Sequence, residues 1–428
     1  MGEKLKTILR YTLHFLCWLL CAVLIGCACG LAGGGFAIAV EWATHTRGQL
    51  PWLLYLLPLG GLAIAGLYRV LKLPPHVGTD DVFVAVRSQR KVPVQLAPAI
   101  FAATTLTHLL GGSAGREGAA LQLGGSIGSA VGSMFRMNGR KNVLRVCELC
   151  GMAALFSALF GTPVTAALFV LEVMEVGRIN NRALVPCMAS AVCASLVAKA
   201  IGAPAEVFPL AAGLAQPGGL TLLKAAALGV VFAVMAILFC TVMHVAGSKA
   251  RKLIPNVFLR AAVGGVLIIG ATLLVGCRDY NGGGTHIILE ALGGKAKPEA
   301  FLLKLLFTAL TLSMGFKGGE IVPSFFVGAT LGCVAAPLLG LPAALGAGLG
   351  MVGVFCGVTN APIAAMMLSI ELFGTEYLLL FGMVAAVSFM LSGRYSLYHS
   401  QVFMQLMPGE DEEKEAAQAG GGSAGALL

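Results

Sequence analysis

Residues 151–172 read GMAALFSALFGTPVTAALFVLE, and residues 350–371 read GMVGVFCGVTNAPIAAMMLSIE. Without a gap, Gly151/Gly350, Met152/Met351, Phe156/Phe355, Pro163/Pro362, Ala166/Ala365 and Glu172/Glu371 coincide. Each stretch is an apolar run, a Thr-Pro or Ala-Pro break, and a second short apolar run closed by Glu. Upstream of each copy lies a second match. GGSAGREGAALQLGGSIG (111–128) aligns with GFKGGEIVPSFFVGATLG (315–332) through Gly111/Gly315, Gly115/Gly319, Gly124/Gly328 and Gly128/Gly332. A third, shorter match pairs Gly78-Thr79 with Gly284-Thr285. Three matches in the same order, about two hundred residues apart, indicate an internal duplication. The sequence divides into halves 1–215 and 216–407, followed by a tail, 408–428.

Composition defines the medium. The chain is 57% hydrophobic and 11% charged over 428 residues, with a mean hydropathy of +0.87. Soluble domains carry about 25% charged residues, so the solvent for this surface is lipid. Long helices are expected near 10–45, 52–73, 94–111, 117–135, 143–160, 180–203, 219–249, 258–276, 298–316 and 376–393. Shorter apolar pieces lie near 80–89, 163–175, 284–293, 321–339, 342–358 and 362–373, several too short or too Gly-rich to cross alone. The opening MGEKLKTILR and the Leu24-Ile25-Gly26-Cys27 box resemble export signals. The apolar run continues through Val40, however, which is long enough to span a membrane, and is read as a retained first helix. The tail, acidic from Glu410 to Glu415 and then Ala/Gly-rich, reads as disordered.

The formal net charge is +9. The basic residues, among them Lys4, Lys6, Arg10, Arg136, Arg140, Lys141, Lys249, Arg251 and Lys252, sit at span ends and in short loops. That is topology control rather than nucleic-acid binding. The 12 cysteines include Cys27-x-Cys29 and Cys147-x-x-Cys150, but no second pair or His cluster completes a metal set. Cysteine in apolar runs behaves as a small hydrophobe. No metal and no cofactor are expected.

Repeated halves with Gly- or Pro-broken helices in corresponding positions point to a secondary transporter. Helix N-termini carry about half a positive charge and free N–H groups, so convergent N-termini form an anion site. Candidates are Gly78-Thr79, Gly115 to Gly118, Gly319 to Pro323 and the region of Tyr395 to Tyr398. Glu117, an ionisable residue inside the membrane, is a functional candidate by default. Its structural alternative is a pairing with Arg116, although neighbours along a helix do not face one another. Glu320 is either a second carboxylate on an ion path or a salt-bridge partner of Lys317.

GGSAGREGAALQLGGSIG resembles the gating-glutamate motif of the CLC anion channels and transporters, and the resemblance runs through 163–172, 315–332, 362–371 and Leu397-Tyr398. Gly319-Glu320-Ile321-Val322-Pro323 in place of G-x-F-x-P resembles the fluoride/proton antiporter branch. The resemblance implies an all-α membrane fold of two inverted repeats whose broken helices meet at mid-membrane. It also implies a homodimer in a bacterial inner membrane that exports fluoride against inward proton flow. Glu117 would be gate and proton carrier, with Glu320 a second carboxylate. The anion would lie among Val77, Gly78, Gly118, Ile321, Val322 and Tyr398, with the ring edges of Phe83, Phe325 and Phe326 as further contacts. Two features depart from the chloride/proton antiporters. The glutamate pair that ends their equivalent of 163–173 is Glu172-Val173 here, and Val77 stands where they place a serine. The fluoride branch shares the first departure; the second leaves no side-chain donor. The same-family alternative is a chloride/proton antiporter or passive chloride channel. An intramembrane enzyme is disfavoured because Ser113 and His108 lack a G-x-S-x-G context. A cation carrier is disfavoured by the positive helix ends.

Overall fold

Without water in the bilayer core, a chain must satisfy every backbone N–H and C=O internally, so apolar runs of this length fold as helices. The computed structural model describes residues 2–134, 141–204, 206–213 and 218–404. The expected repeat boundary at 215 and the tail 408–428 lie outside them. In the first half, α1 (Gly2–Gln49) and a 3-10 turn (Pro51–Leu56) lead into α2 (Leu57–Val70), α3 (Thr79–Arg87) and α4 (Leu96–Leu110). Then come α5 (Glu117–Met134), α6 (Lys141–Phe160), α7 (Pro163–Glu172) and α8 (Asn181–Ala200). The second half contains α9 (Gly219–Leu253), α10 (Val257–Val275), α11 (Thr285–Leu292) and α12 (Ala300–Ser313). It closes with α13 (Ile321–Ala335), α14 (Ala343–Thr359), α15 (Pro362–Phe373) and α16 (Leu378–Ser392).

Among the described residues, seven helices are long and apolar enough to span a membrane. Others cannot span alone: α7 has 10 residues, about 15 Å of helix against a hydrocarbon core of about 30 Å. Outward-facing apolar side chains such as Leu274, 89% exposed, mark the lipid face. Two expectations from sequence are corrected. The piece at 163–175 stops at Glu172, and Glu175–Val176 (β1) pairs in parallel with Val402–Phe403 (β2). The helix start expected at Tyr395 to Tyr398 is irregular chain with a bend at Leu397, because the chain there feeds β2.

Equivalent residues of the two halves exchange equivalent bonds. The N–H of Gly115 donates to the Gly319 carbonyl and the reverse, both at 2.7 Å. The Glu172 carboxylate accepts from the Ile363 and Ala364 N–H groups at 3.1 and 2.8 Å. Glu371 accepts from Val164 and Thr165 at 3.0 and 2.7 Å. Each carboxylate ends one short helix and caps the free donors at the start of the other. This is possible only if α7 and α15 run antiparallel. The two repeats are therefore inverted relative to one another, with the proline breaks at Pro163 and Pro362 at opposite ends of the antiparallel pair. Charge-assisted hydrogen bonds contribute about 1.5–3 kcal/mol each. Glu172→Ala and Glu371→Ala are each expected to lower the apparent Tm in detergent by several degrees, with the pair worse than either. Thermal unfolding followed by loss of the monodisperse peak checks this; an unchanged Tm in both would refute mutual capping as a stabilising element.

Candidate functional site

The Gly115–Gly319 bridge sets the N-termini of α5 and α13 head to head. A Cβ at Gly319 would lie 2.4 Å from the Gly118 nitrogen, so only glycine permits this approach. Two helix N-termini, each with unspent N–H groups, thus meet deep inside the protein.

Glu117 opens α5 and is fully buried. Its carboxylate folds back over its own helix start, where Oε2 accepts from the Arg116 N–H at 2.9 Å. Oε1 is buried without a hydrogen-bond partner. A Cβ at Gly115 would lie 2.5 Å from Oε2, so this resting place requires glycine as well. Arg116 precedes the helix instead of following one turn along it. Contrary to the sequence-based expectation, it therefore does reach Glu117, with Nε 3.7 Å from Oε1. Its closer partner is Glu206, at 3.1 Å. Glu117, Arg116, Glu206, Arg47 and Val322 line a cavity of about 550 Å³.

A second cavity, of about 460 Å³, is lined by Thr79, Glu320, Tyr398, His244 and His399 among others. Ile321 and Gly118 line neither cavity and belong to the tightly packed layer between them. Glu320 precedes α13, and its Oε2 is buried and unpartnered. That oxygen is 3.1 Å from the Cβ position of Gly118. Thr79 Oγ1 donates to the Gly118 carbonyl at 3.2 Å and accepts from Gln122 Nε2 at 3.3 Å. The expected alternative for Glu320 does not occur, because Lys317 turns away. Its Nζ donates to the Pro75 and Val77 carbonyls at 3.0 and 2.8 Å and sits 4.5 Å from the Tyr68 ring centroid.

The remaining candidates separate. The Tyr398 hydroxyl is buried without a partner, whereas Tyr395 is 52% exposed. Phe83 meets the Tyr398 ring edge-on at 4.9 Å. Val77 lines neither cavity; its N–H goes to Pro74 and its carbonyl to Lys317. The Gly78 N–H is taken by the Asp81 carboxylate at 2.9 Å. Phe325 packs edge-on against Phe160 and Phe355, while Phe326 faces Tyr280 and lies 5.2 Å from Lys304 Nζ. The two phenylalanines thus serve different surroundings. Sequence reading missed Arg47, Glu206, His244 and His399. Arg47 reaches its cavity from the last turn of α1, His244 from within α9, and Glu206 and His399 from loops, where no local motif marks them.

Buried polar groups are nearly always hydrogen-bonded. Here Glu117 Oε1, Glu320 Oε2 and the Tyr398 hydroxyl are buried without a partner; Glu117 lines one cavity, and Glu320 and Tyr398 line the other. The arrangement can hold a small anion with N–H and O–H donors and can take up protons on two carboxylates, each reached from a different cavity.

A profile described as "Voltage gated chloride channel" matches residues 60–393. A "Chloride/fluoride channel protein" of Pseudomonas syringae pv. tomato is 35% identical over 392 residues, 90% of this chain and 86% of its own. An H(+)/Cl(-) exchange transporter ClcA of Vibrio vulnificus is 28% identical, over 84% of this chain and 82% of its own. Among solved structures, a CLC-type fluoride/proton antiporter superimposes with a TM-score of 0.87 at 30% identity, covering 91% of this chain and 98% of its own. A slow cyanobacterial Cl-/H+ antiporter shares the fold, with a TM-score of 0.74 at 22% identity over 88% and 94%.

Proposed function

We propose, on the premise that this chain belongs to the voltage-gated chloride channel family, that it is a fluoride/proton antiporter exporting fluoride across a bacterial inner membrane. The observation that carries the reading is the pair of buried carboxylates, Glu117 and Glu320, each with an unpartnered oxygen. They stand at abutted helix N-termini and line different cavities. The similarity to a fluoride/proton antiporter structure and to a chloride/fluoride channel protein supports the same reading.

Fluoride is small and strongly hydrated, so the site must replace its water with hard N–H and O–H donors. The N-termini of α5 and α13 and the Tyr398 hydroxyl supply such donors. Ionised, the Glu117 carboxylate competes with fluoride for them; protonated, it loses its charge and yields. One protonation thus accompanies each exchange of anion for gate. Arg251 lines the second cavity and Arg394 the adjoining one, which supports a cytoplasmic position for that mouth. Fluoride enters there and leaves past Glu117 into the cavity lined by Arg47 and Arg116, while protons travel the opposite way. The inverted repeats comprise 1–215 and 216–407, and the working unit is a homodimer in which each chain carries its own path.

Purified protein in liposomes is expected to release fluoride at least about ten-fold faster than chloride, a discrimination of about 1.4 kcal/mol. Parallel ion-selective electrode traces under a proton gradient check this. Equal or faster chloride release would leave the chloride/proton alternative in its place.

A further inference from the structure

The position that carries a second glutamate in chloride/proton exchangers is Val173 here, so protons need another way between the carboxylates and the cytoplasmic face. Resting on the antiport reading above, the geometry points to His244 and His399 as a paired proton relay at the inner mouth of the pathway. His244 lies on α9 and His399 in the turn after Tyr398, yet their rings stack with centroids 3.6 Å apart and planes 24° from parallel. Both line the 460 Å³ cavity that also receives Glu320 and Tyr398. That volume holds several waters, enough to connect the imidazoles to Glu320 by hydrogen bonds.

The stack is held in place from both sides. His244 Nε2 lies 3.1 Å from the Leu397 carbonyl, which leaves the other ring nitrogen for proton exchange. The Asp80 carboxylate accepts from the His399 and Ser400 N–H groups, at 3.2 and 3.0 Å, and from the Ser400 hydroxyl at 2.7 Å. Two imidazolium ions in ring contact repel strongly, so the pair takes up one proton, not two. An imidazole can accept a proton on one ring nitrogen and release one from the other, as a relay group must. The charged and titratable groups facing the pair are His76, Asp80, Asp81, Arg251 and Glu320 in the same cavity and Arg394 in the adjoining one. The step conserves charge: a proton leaves protonated Glu320 through water, forms one imidazolium in the pair, and departs to cytoplasmic water.

The test uses full-length protein in weakly buffered liposomes, comparing wild type with His244→Gln, His399→Asn and the double variant. Fluoride efflux and proton uptake are recorded together. The double variant is expected to lose coupled exchange by about ten-fold or more, in the range that positioned proton-transfer groups supply. Added imidazole should restore it relative to wild type in the same buffer. Calorimetric fluoride binding should stay at the wild-type value. Wild-type exchange in the double variant overturns the relay. So does a slowed exchange that imidazole fails to restore, which marks a merely structural contact. Wild-type protein that moves fluoride without protons would instead overturn the antiport reading itself.

Discussion

Glu117→Gln is expected to lower proton-coupled fluoride exchange by about a hundred-fold or more, the scale on which an essential proton-transfer group acts. Glutamine keeps the size and the place at the start of α5 but can neither ionise nor carry a proton. In the wild type the carboxylate rests on the Arg116 N–H with Oε1 unpartnered. The glutamine amide can keep one such bond with its carbonyl oxygen, so the fold loses little. What is lost is the charge that makes the side chain compete with fluoride and the proton that makes it yield. On the proposed reading Glu117 is the gate as well as a proton carrier, so its neutral replacement is expected to give arrest rather than passive leak. Fluoride efflux with simultaneous pH recording decides it. Wild-type proton uptake per fluoride in the variant would exclude Glu117 as the coupling residue and move the assignment to Glu320, testable as Glu320→Gln in the same assay.

The second large effect is structural. In the paired helices α13 and α14, a Cβ at Gly328 would lie 2.1 Å from the Gly350 carbonyl oxygen. In α5 and α6, a Cβ at Gly124 would lie 2.2 Å from that of Gly151. Both obstacles are backbone, which cannot rotate away. Alanine improves helix propensity by about 1 kcal/mol over glycine. Forcing two buried helices apart costs about 1–3 kcal/mol or more, and at these distances the clash wins. Gly328→Ala and Gly124→Ala are expected to cut the yield of monodisperse protein to a small fraction of wild type. Gly66→Ala and Gly270→Ala, on α2 and α10 with nothing within 4 Å of the added carbon, are expected to match or exceed wild type. Fluorescence-detected size-exclusion profiles of the four variants check the contrast. Normal profiles for the first two would show that the helix pairs tolerate separation.

That the same glycine contact recurs in both halves follows from the duplication visible in the sequence. Hydropathy, the Gly and Pro breaks and the matched motifs are local signals. They placed several helix starts to the residue, as at Pro163, Glu117 and Ile321, which the structure makes the first residues of α7, α5 and α13, while α1 begins eight residues before its expected start. They also singled out Glu117, because a carboxylate within an apolar stretch needs a reason to be there.

The fate of Glu320 was not legible in the same way. Lys317, three residues before it, is near enough in sequence to neutralise it. Only the packed chain shows the ammonium drawn to the carbonyls of Pro75 and Val77, more than two hundred residues away. That contact spends the Val77 backbone and leaves the Glu320 carboxylate facing the cavity. The mutual capping by Glu172 and Glu371, the Arg116–Glu206 pair and the stacked imidazoles of His244 and His399 likewise join segments distant in sequence. Periodicity and breaker residues act over one or two helical turns, so the sequence by itself determined the helices, their duplication and the presence of a carboxylate, Glu117, within the apolar stretch. Which polar groups meet across the inverted repeats depends on how whole helices cross. Side-chain bonds are made only after those crossings bring them within about 3 Å, and that was decided by the tertiary structure alone.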